Sequence, residues 1–176
     1  MDKIILIGFR CTGKTTIGKK LAEVLNWKFL DLDVEIQKKY GKTIKEMVEE
    51  KGWEFFRNLE KKEMENLYDL KRVVIALGGG GVLHQKEMEK LKEKSLVIWL
   101  FTPEEVILQR LRQDEKTSSQ RPALSNTSLE KEIRNILKER EPLYEKFSHF
   151  KIDTSENIVE KTVDKILKIL QNQSRV

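Results

Sequence analysis

The stretch from Lys3 to Thr16, Lys-Ile-Ile-Leu-Ile-Gly-Phe-Arg-Cys-Thr-Gly-Lys-Thr-Thr, constrains this chain more than any other. Lys3 to Ile7 is a β-branched apolar run and reads as a buried strand. Gly8, Gly13, Lys14 and Thr15 then give G-x-x-x-x-G-K-T, and Ile17, Leu21, Val24 and Leu25 recur at helical spacing. Strand, glycine loop and helix in that order form the context of a phosphate-binding loop. Glycines let amides approach an anion without a Cβ between them. The helix start adds unpaired N–H groups and a favourable dipole. Lys14 is expected at the β- and γ-phosphates of a nucleotide, and the Thr15 hydroxyl on Mg²⁺.

Beyond the loop, Lys28 to Asp31 reads as a second strand, ending in Asp31-Leu32-Asp33 at the edge of the sheet where ligands gather. Strict alternation puts both acids on one side, one for a metal shell and one for a substrate hydroxyl. The plainer alternative makes Asp33 the cap of a helix starting near Val34. Helical pieces follow, broken at Tyr40-Gly41-Lys42-Thr43 and turning at Gly52, and a further helix is expected from Trp53 to Leu70. On it Arg57 and Glu60 share a face, either as a weak surface ion pair or as part of a site.

Arg72 to Leu77 is a third strand, and Gly78 to Gly81 follow it. Four glycines in a row are costly in unfolded-state entropy. They suit backbone lying against a ligand, or else a loose loop. A short helix from Gln85 to Lys94, a strand from Ser95 to Phe101 and a helix opened by Pro103 come next. The polar, aperiodic segment from Asp114 to Thr127 has the character of a lid carrying Arg121, or of a surface loop in which Arg121 has no role. A helix from Ser128 is expected to break or kink at Pro142. Phe150 to Asp153 is a short strand, and Glu156 to Gln171 closes the chain with Ile158, Val159, Val163, Ile166, Leu167 and Leu170 facing inward. Alternating strands and helices imply an α/β fold with a parallel sheet covered on both faces.

The 176 residues suit a single domain, with no apolar run long enough for a membrane and no leader pattern. One cysteine, Cys11, excludes an internal disulfide framework and fits a reducing cytoplasm. A net charge of +5, from 34 basic and 29 acidic residues spread along the chain, suits an anionic small substrate as well as it suits nucleic acid.

Several motifs agree on one family. Gly8 to Thr16, Asp31-Leu32-Asp33, Phe56-Arg57 with Glu60, Leu77-Gly78-Gly79-Gly80, Arg121-Pro122 and Arg140 with Pro142-Leu143-Tyr144 occur in that order. The phosphate loop alone belongs to a vast superfamily, but the combination is specific. Over essentially its whole length the chain resembles the shikimate kinases. The resemblance implies a three-layer P-loop kinase fold with a five-stranded parallel sheet in the order 2-3-1-4-5. It implies one domain, residues 1–176, with a substrate-binding lobe at about 33–61 and a lid at about 112–127. The implied reaction is ATP-dependent phosphorylation of the 3-hydroxyl of shikimate, with Mg²⁺, in a cytoplasmic monomer that binds neither nucleic acid nor membrane.

Roles follow by resemblance. Gly8, Arg10, Cys11, Thr12, Gly13, Lys14, Thr15 and Thr16 would bind ATP, with Arg110 stacked on the adenine and Arg121 covering the transferring phosphate. Asp33 would bind the substrate hydroxyls and take the proton, and Asp31 would meet Mg²⁺ through water. Arg57 and Arg140 would grip the substrate carboxylate, with Glu60 orienting Arg57 and with Phe56, Gly78, Gly79 and Gly80 beside the ring. Lys14, Asp33 and Arg121 are the expected catalytic residues. The chain departs from the family pattern at Cys11, usually glycine, at Trp53, often glutamate, in a longer lid, and at Asp153-Thr154-Ser155-Glu156, which lacks a proline.

Other readings remain open at this point. A kinase of another small hydroxylated acid or of a nucleotide shares the loop and the lid. A GTPase-like switch lacks its Asn-Lys-x-Asp and Asp-x-x-Gly motifs here. A nucleic-acid binder rests on charge alone.

Overall fold

The structure is a computed structural model that describes residues 2–113, 129–156 and 158–173. Five strands form one sheet: β1 (Lys3–Ile7), β2 (Lys28–Asp31), β3 (Val73–Ala76), β4 (Leu96–Phe101) and β5 (Phe150–Asp153). Every pairing is parallel, and the order is β2-β3-β1-β4-β5. The helices are α1 (Lys14–Leu25), α2 (Leu32–Tyr40), α3 (Ile44–Glu65), α4 (Gln85–Glu93), α5 (Glu104–Gln113), α6 (Leu129–Phe147) and α7 (Val159–Gln173), with a 3-10 turn at Gly81–Leu83.

β1 is buried throughout because it feeds two cores. Its alternate side chains Ile5 and Ile7 pack with Leu32, Ile36, Met64, Ile75 and Trp99 on one face. Ile4 and Leu6 pack with Ile17, Leu21, Val74, Ile98, Val163 and Ile166 on the other. The apolar run Ile4–Ile7 therefore has a use for every position, and the buried Lys3 that precedes it donates its Nζ to the Leu67 and Tyr68 carbonyls at 2.7 Å each. A third cluster of Phe9, Ile107, Ile133, Ile136 and Leu137 joins α5 and α6 above the phosphate loop's strand end.

Four expectations change. The β alternation stops at Asp31, because α2 begins at Leu32 and Asp33 lies in its first turn. Asp31, not Asp33, is the cap, its Oδ1 accepting from the Val34 amide at 3.4 Å. The segment expected to run to Leu70 ends at Glu65. Gly52 bends α3 inside at φ 81° and ψ 168°, a backbone that glycine adopts without strain. Pro142 does not end α6, which runs on to Phe147. The missing bond and ring clash cost about 3 kcal/mol, against about 1.5–3 kcal/mol for each large apolar side chain buried. Tyr144 and Phe147 are both buried in that last turn. Finally, Ile158 precedes α7 and is 48% exposed rather than facing inward.

Candidate active site

The strands' C-terminal ends lie at one edge, and the sequence-predicted residues collect there. From β1 the chain enters the glycine loop with Gly8 at φ 145° and Gly13 at φ 91°, both in backbone regions that a side chain resists. The loop is braced from within. Thr12 Oγ1 donates to the Phe9 carbonyl at 2.8 Å, and Lys14 Nζ donates to the Gly8 and Phe9 carbonyls at 2.9 and 2.7 Å. Gly13 caps α1 without a side chain, and no acid occupies the first turn of that helix. Its N-terminal amides and dipole are thus arranged for an anion.

Thr15 Oγ1 donates to Asp31 Oδ2 at 2.7 Å, so the loop's hydroxyl and the end of β2 meet. Arg10, Cys11, Gly13, Lys14, Thr15, Thr16, Asp31 and Asp33 line one cleft. Arg110, from α5, donates to the carbonyls of Cys11 at 2.9 Å and Thr154 at 2.7 Å, tying the phosphate loop to the segment after β5. Thr12, Gly13, Thr16, Thr154 and Ile158 line a depression next to it.

A second cleft adjoins the first, lined by Phe9, Arg10, Asp33, Ile44, Trp53, Phe56, Arg57, Glu60, Gly79, Gly80 and Arg140. Arg10 and Asp33 belong to both. Asp33, 8% exposed, therefore stands where the two clefts meet. The Arg57–Glu60 pair is no surface ornament: Nη1 donates to Oε2 at 2.6 Å, and Glu60 is 1% exposed. Burial alone would raise the Glu60 pKa. A hydrogen bond from His84 and the charge of Arg57 outweigh it and hold the carboxyl below the ordinary glutamate value. The Arg57 guanidinium also lies 5.3 Å from the Trp53 ring centre and 5.5 Å from that of Phe56.

Arg140 comes from α6 and is 7% exposed. Its Nε, like Glu60 Oε1, is buried without a hydrogen-bond partner. An unsatisfied buried donor beside a cleft suits an anionic ligand. One turn on, Tyr144 donates its hydroxyl to the Gly79 carbonyl at 2.6 Å, pinning the glycine run to α6. Burial pushes its pKa far up, so it remains a donor.

Gly78 to Gly81 all have negative φ, so the run is not needed for left-handed turns. It is needed for room. A Cβ on Gly78 would lie 2.5 Å from Asp33 Oδ1, and one on Gly80 would overlap the Arg57 guanidinium. Gly78 and Gly80 make space for the side chains that face them, while a Cβ on Gly79 or Gly81 would meet its nearest atom only at 3.5 Å. Trp53 and His84 were not among the expected site residues. Trp53 had a signal, since 53, 56, 57 and 60 form one helical stripe. His84 had only its place just past the glycines. Arg121 and residues 114–127 of the expected lid lie outside the described residues, while Arg112 and Gln113, expected at its start, belong to α5.

A profile of the shikimate kinase family matches residues 10–171. The chain belongs to the shikimate kinase family. A relative described as shikimate kinase from Syntrophus aciditrophicus is 41% identical, over 97% of this chain and 91% of that protein. The solved shikimate kinase of Acinetobacter baumannii in complex with shikimate is 36% identical, with a TM-score of 0.90 over 98% of this chain and 94% of that one. The shikimate kinase of Aquifex aeolicus superposes with a TM-score of 0.82 at 35% identity, covering 98% of both chains. The family is one of kinases, and the P-loop kinase fold with the 2-3-1-4-5 sheet agrees with it.

Proposed function

We propose that this enzyme transfers the γ-phosphoryl group of ATP to the 3-hydroxyl of shikimate. The observation that carries the reading is the junction of the two clefts at Asp33: a cradle for phosphates opens directly onto a pocket lined by three arginines, Arg10, Arg57 and Arg140. Support also comes from the Acinetobacter baumannii relative, solved with shikimate.

Shikimate is a ring bearing one carboxylate and several hydroxyls. Arg57 and Arg140 are the cations for the carboxylate, and charged hydrogen bonds of this kind are the strong ones. Trp53 and Phe56 offer apolar walls to the ring. Asp33 binds the hydroxyl that faces the phosphates and takes its proton as the oxygen attacks phosphorus. Lys14 and the loop amides hold the phosphates in line and neutralise charge as the bond to the leaving ADP breaks. Arg10, on the wall common to both clefts, adds positive charge at the junction, and Arg121, outside the described residues, is proposed to add more at the transferring phosphate. The base of ATP would sit beside Arg110, Thr154 and Ile158, which gives the exposed Ile158 a partner.

Thr15 and Asp31 fit Mg²⁺, which keeps several waters and takes only one or two protein ligands together with phosphate oxygens. Among the described residues no group of three or more His, Cys, Asp or Glu could hold a metal alone. Held beside Thr15 and Asp31, Mg²⁺ would neutralise charge on the phosphates.

The test is ADP release with ATP and Mg²⁺ across shikimate, gluconate and nucleoside monophosphates. Turnover of shikimate alone is expected. Turnover of gluconate or of a nucleotide in its place would overturn the proposal.

A further inference from the structure

We infer that His84 is a positioning residue of the acceptor pocket, acting through Glu60 on Arg57. The inference rests on the proposed function for the identity of the ligand, but its geometry stands on its own.

His84 follows the 3-10 turn and caps α4. Its amide donates to the Gly81 carbonyl at 3.1 Å, and its carbonyl accepts from the Met88 amide at 2.9 Å. The backbone is thereby fixed on both sides. The side chain, 11% exposed, places Nε2 at 2.9 Å from Glu60 Oε2. That same oxygen accepts Arg57 Nη1 at 2.6 Å. An ionised carboxylate only accepts, so Nε2 carries the hydrogen. One buried oxygen thus holds two donors from different elements, Arg57 on α3, which lines the pocket, and His84 at the exit of the glycine run.

The other oxygen of Glu60 has no partner. With His84 removed, Arg57 would be the only group restraining the rotation of the carboxylate. The pair could then turn together, and the guanidinium would lose its fixed plane. A planar fork grips a carboxylate well only when its orientation is set in advance. The closeness of Gly80 to the guanidinium leaves little room for a swing that does not also reshape the pocket. His84 is therefore the clamp that ties the glycine wall to the arginine wall.

The experiment compares His84→Leu, His84→Asn and His84→Gln in the full chain. Leu has no donor and Asn is too short to reach Glu60, whereas Gln keeps an N–H of similar reach. Steady-state kinetics are measured against both substrates, with calorimetric titration of shikimate in the absence of ATP. The Leu and Asn variants should raise KM and Kd for shikimate about tenfold, the size of one net hydrogen bond. Their kcat and KM for ATP should stay within about twofold of the parent, and Gln should recover most of the affinity.

Unchanged shikimate affinity in Leu and Asn would overturn the inference. So would a joint rise in both KM values with a lowered melting temperature, or a Gln variant no better than Leu. If the parent chain phosphorylates a different carboxylated acceptor, the proposed substrate falls and the same series is read with that acceptor. If it takes no carboxylated acceptor, both fall.

Discussion

Lys14 and Arg57 reach adjoining clefts by different routes. The phosphate half of the site comes from one uninterrupted stretch of chain, between β1 and the first turn of α1. It is made largely of backbone: glycines at positive φ, amides at a helix start, and a lysine that also braces the loop's own carbonyls. The acceptor half takes its charged side chains from three separate places, Asp33 on α2, Arg57 and Glu60 on α3, and Arg140 on α6, set against the bare backbone of the glycines after β3. A backbone site tolerates changes of side chain but not of geometry. A side-chain site depends on each group and on whatever holds it in place. The first kind serves any nucleoside triphosphate, and the second supplies the choice of acceptor.

The largest effects should come from the two charged groups nearest the reacting atoms. Lys14→Met should lower kcat about 10²–10³-fold, the range for losing one preorganised stabiliser of developing charge. Asp33→Asn should lower it about 10²–10⁴-fold, the contribution of a positioned base. Melting curves of Asp33→Asn should match the parent, since Asp31 rather than Asp33 caps α2. Wild-type turnover in Asp33→Asn would remove the base from the scheme.

Arg57→Ala comes next. It should weaken shikimate by about 1.5–3 kcal/mol, the scale of a charged hydrogen-bonded contact, and leave KM for ATP unmoved. An equal loss for both substrates would mean that the two halves are not separable.

The same contrast explains what could be read in advance. A contiguous motif announces itself, so the loop, its strand and its helix were legible residue by residue. So were β2 and β5, whose ends match the expected Lys28–Asp31 and Phe150–Asp153. The acceptor residues were named through resemblance, because no local pattern joins Arg57 to Arg140 across the chain. Two kinds of information were missing. One was local geometry: a helix that starts at Leu32 instead of Val34 changes which aspartate caps it. The other was tertiary: His84 meets Glu60 24 residues away, and Pro142 is tolerated because Tyr144 and Phe147 are buried beyond it.

Gly80→Ala sharpens the comparison from the acceptor side. The added methyl meets the far end of a flexible side chain, which can yield, so the fold should lose little. The group that yields is the guanidinium that grips the substrate. Shikimate KM should therefore rise by about tenfold, equivalent to one displaced hydrogen bond, with the melting temperature nearly unchanged. A large drop in stability with normal KM would place the glycine run among structural features instead.

Cys11→Gly should have the smallest effect, and it probes the phosphate side. Cys11 sits at φ 63°, a left-handed backbone that glycine adopts more readily than any other residue. A non-glycine residue there costs about 1–2 kcal/mol, and glycine returns about 0.5–1 kcal/mol of that through its greater unfolded-state entropy. The variant should gain about 0.5–1 kcal/mol, which for a chain of this size raises the melting temperature by about 1–4 °C. KM for ATP should not move, because the amides that face the phosphates stay in place. A lower melting temperature would mean that the contacts of the Cys11 side chain outweigh the strain. The loop would then depend on its side chains as the acceptor pocket does, and the distinction between the two halves would narrow.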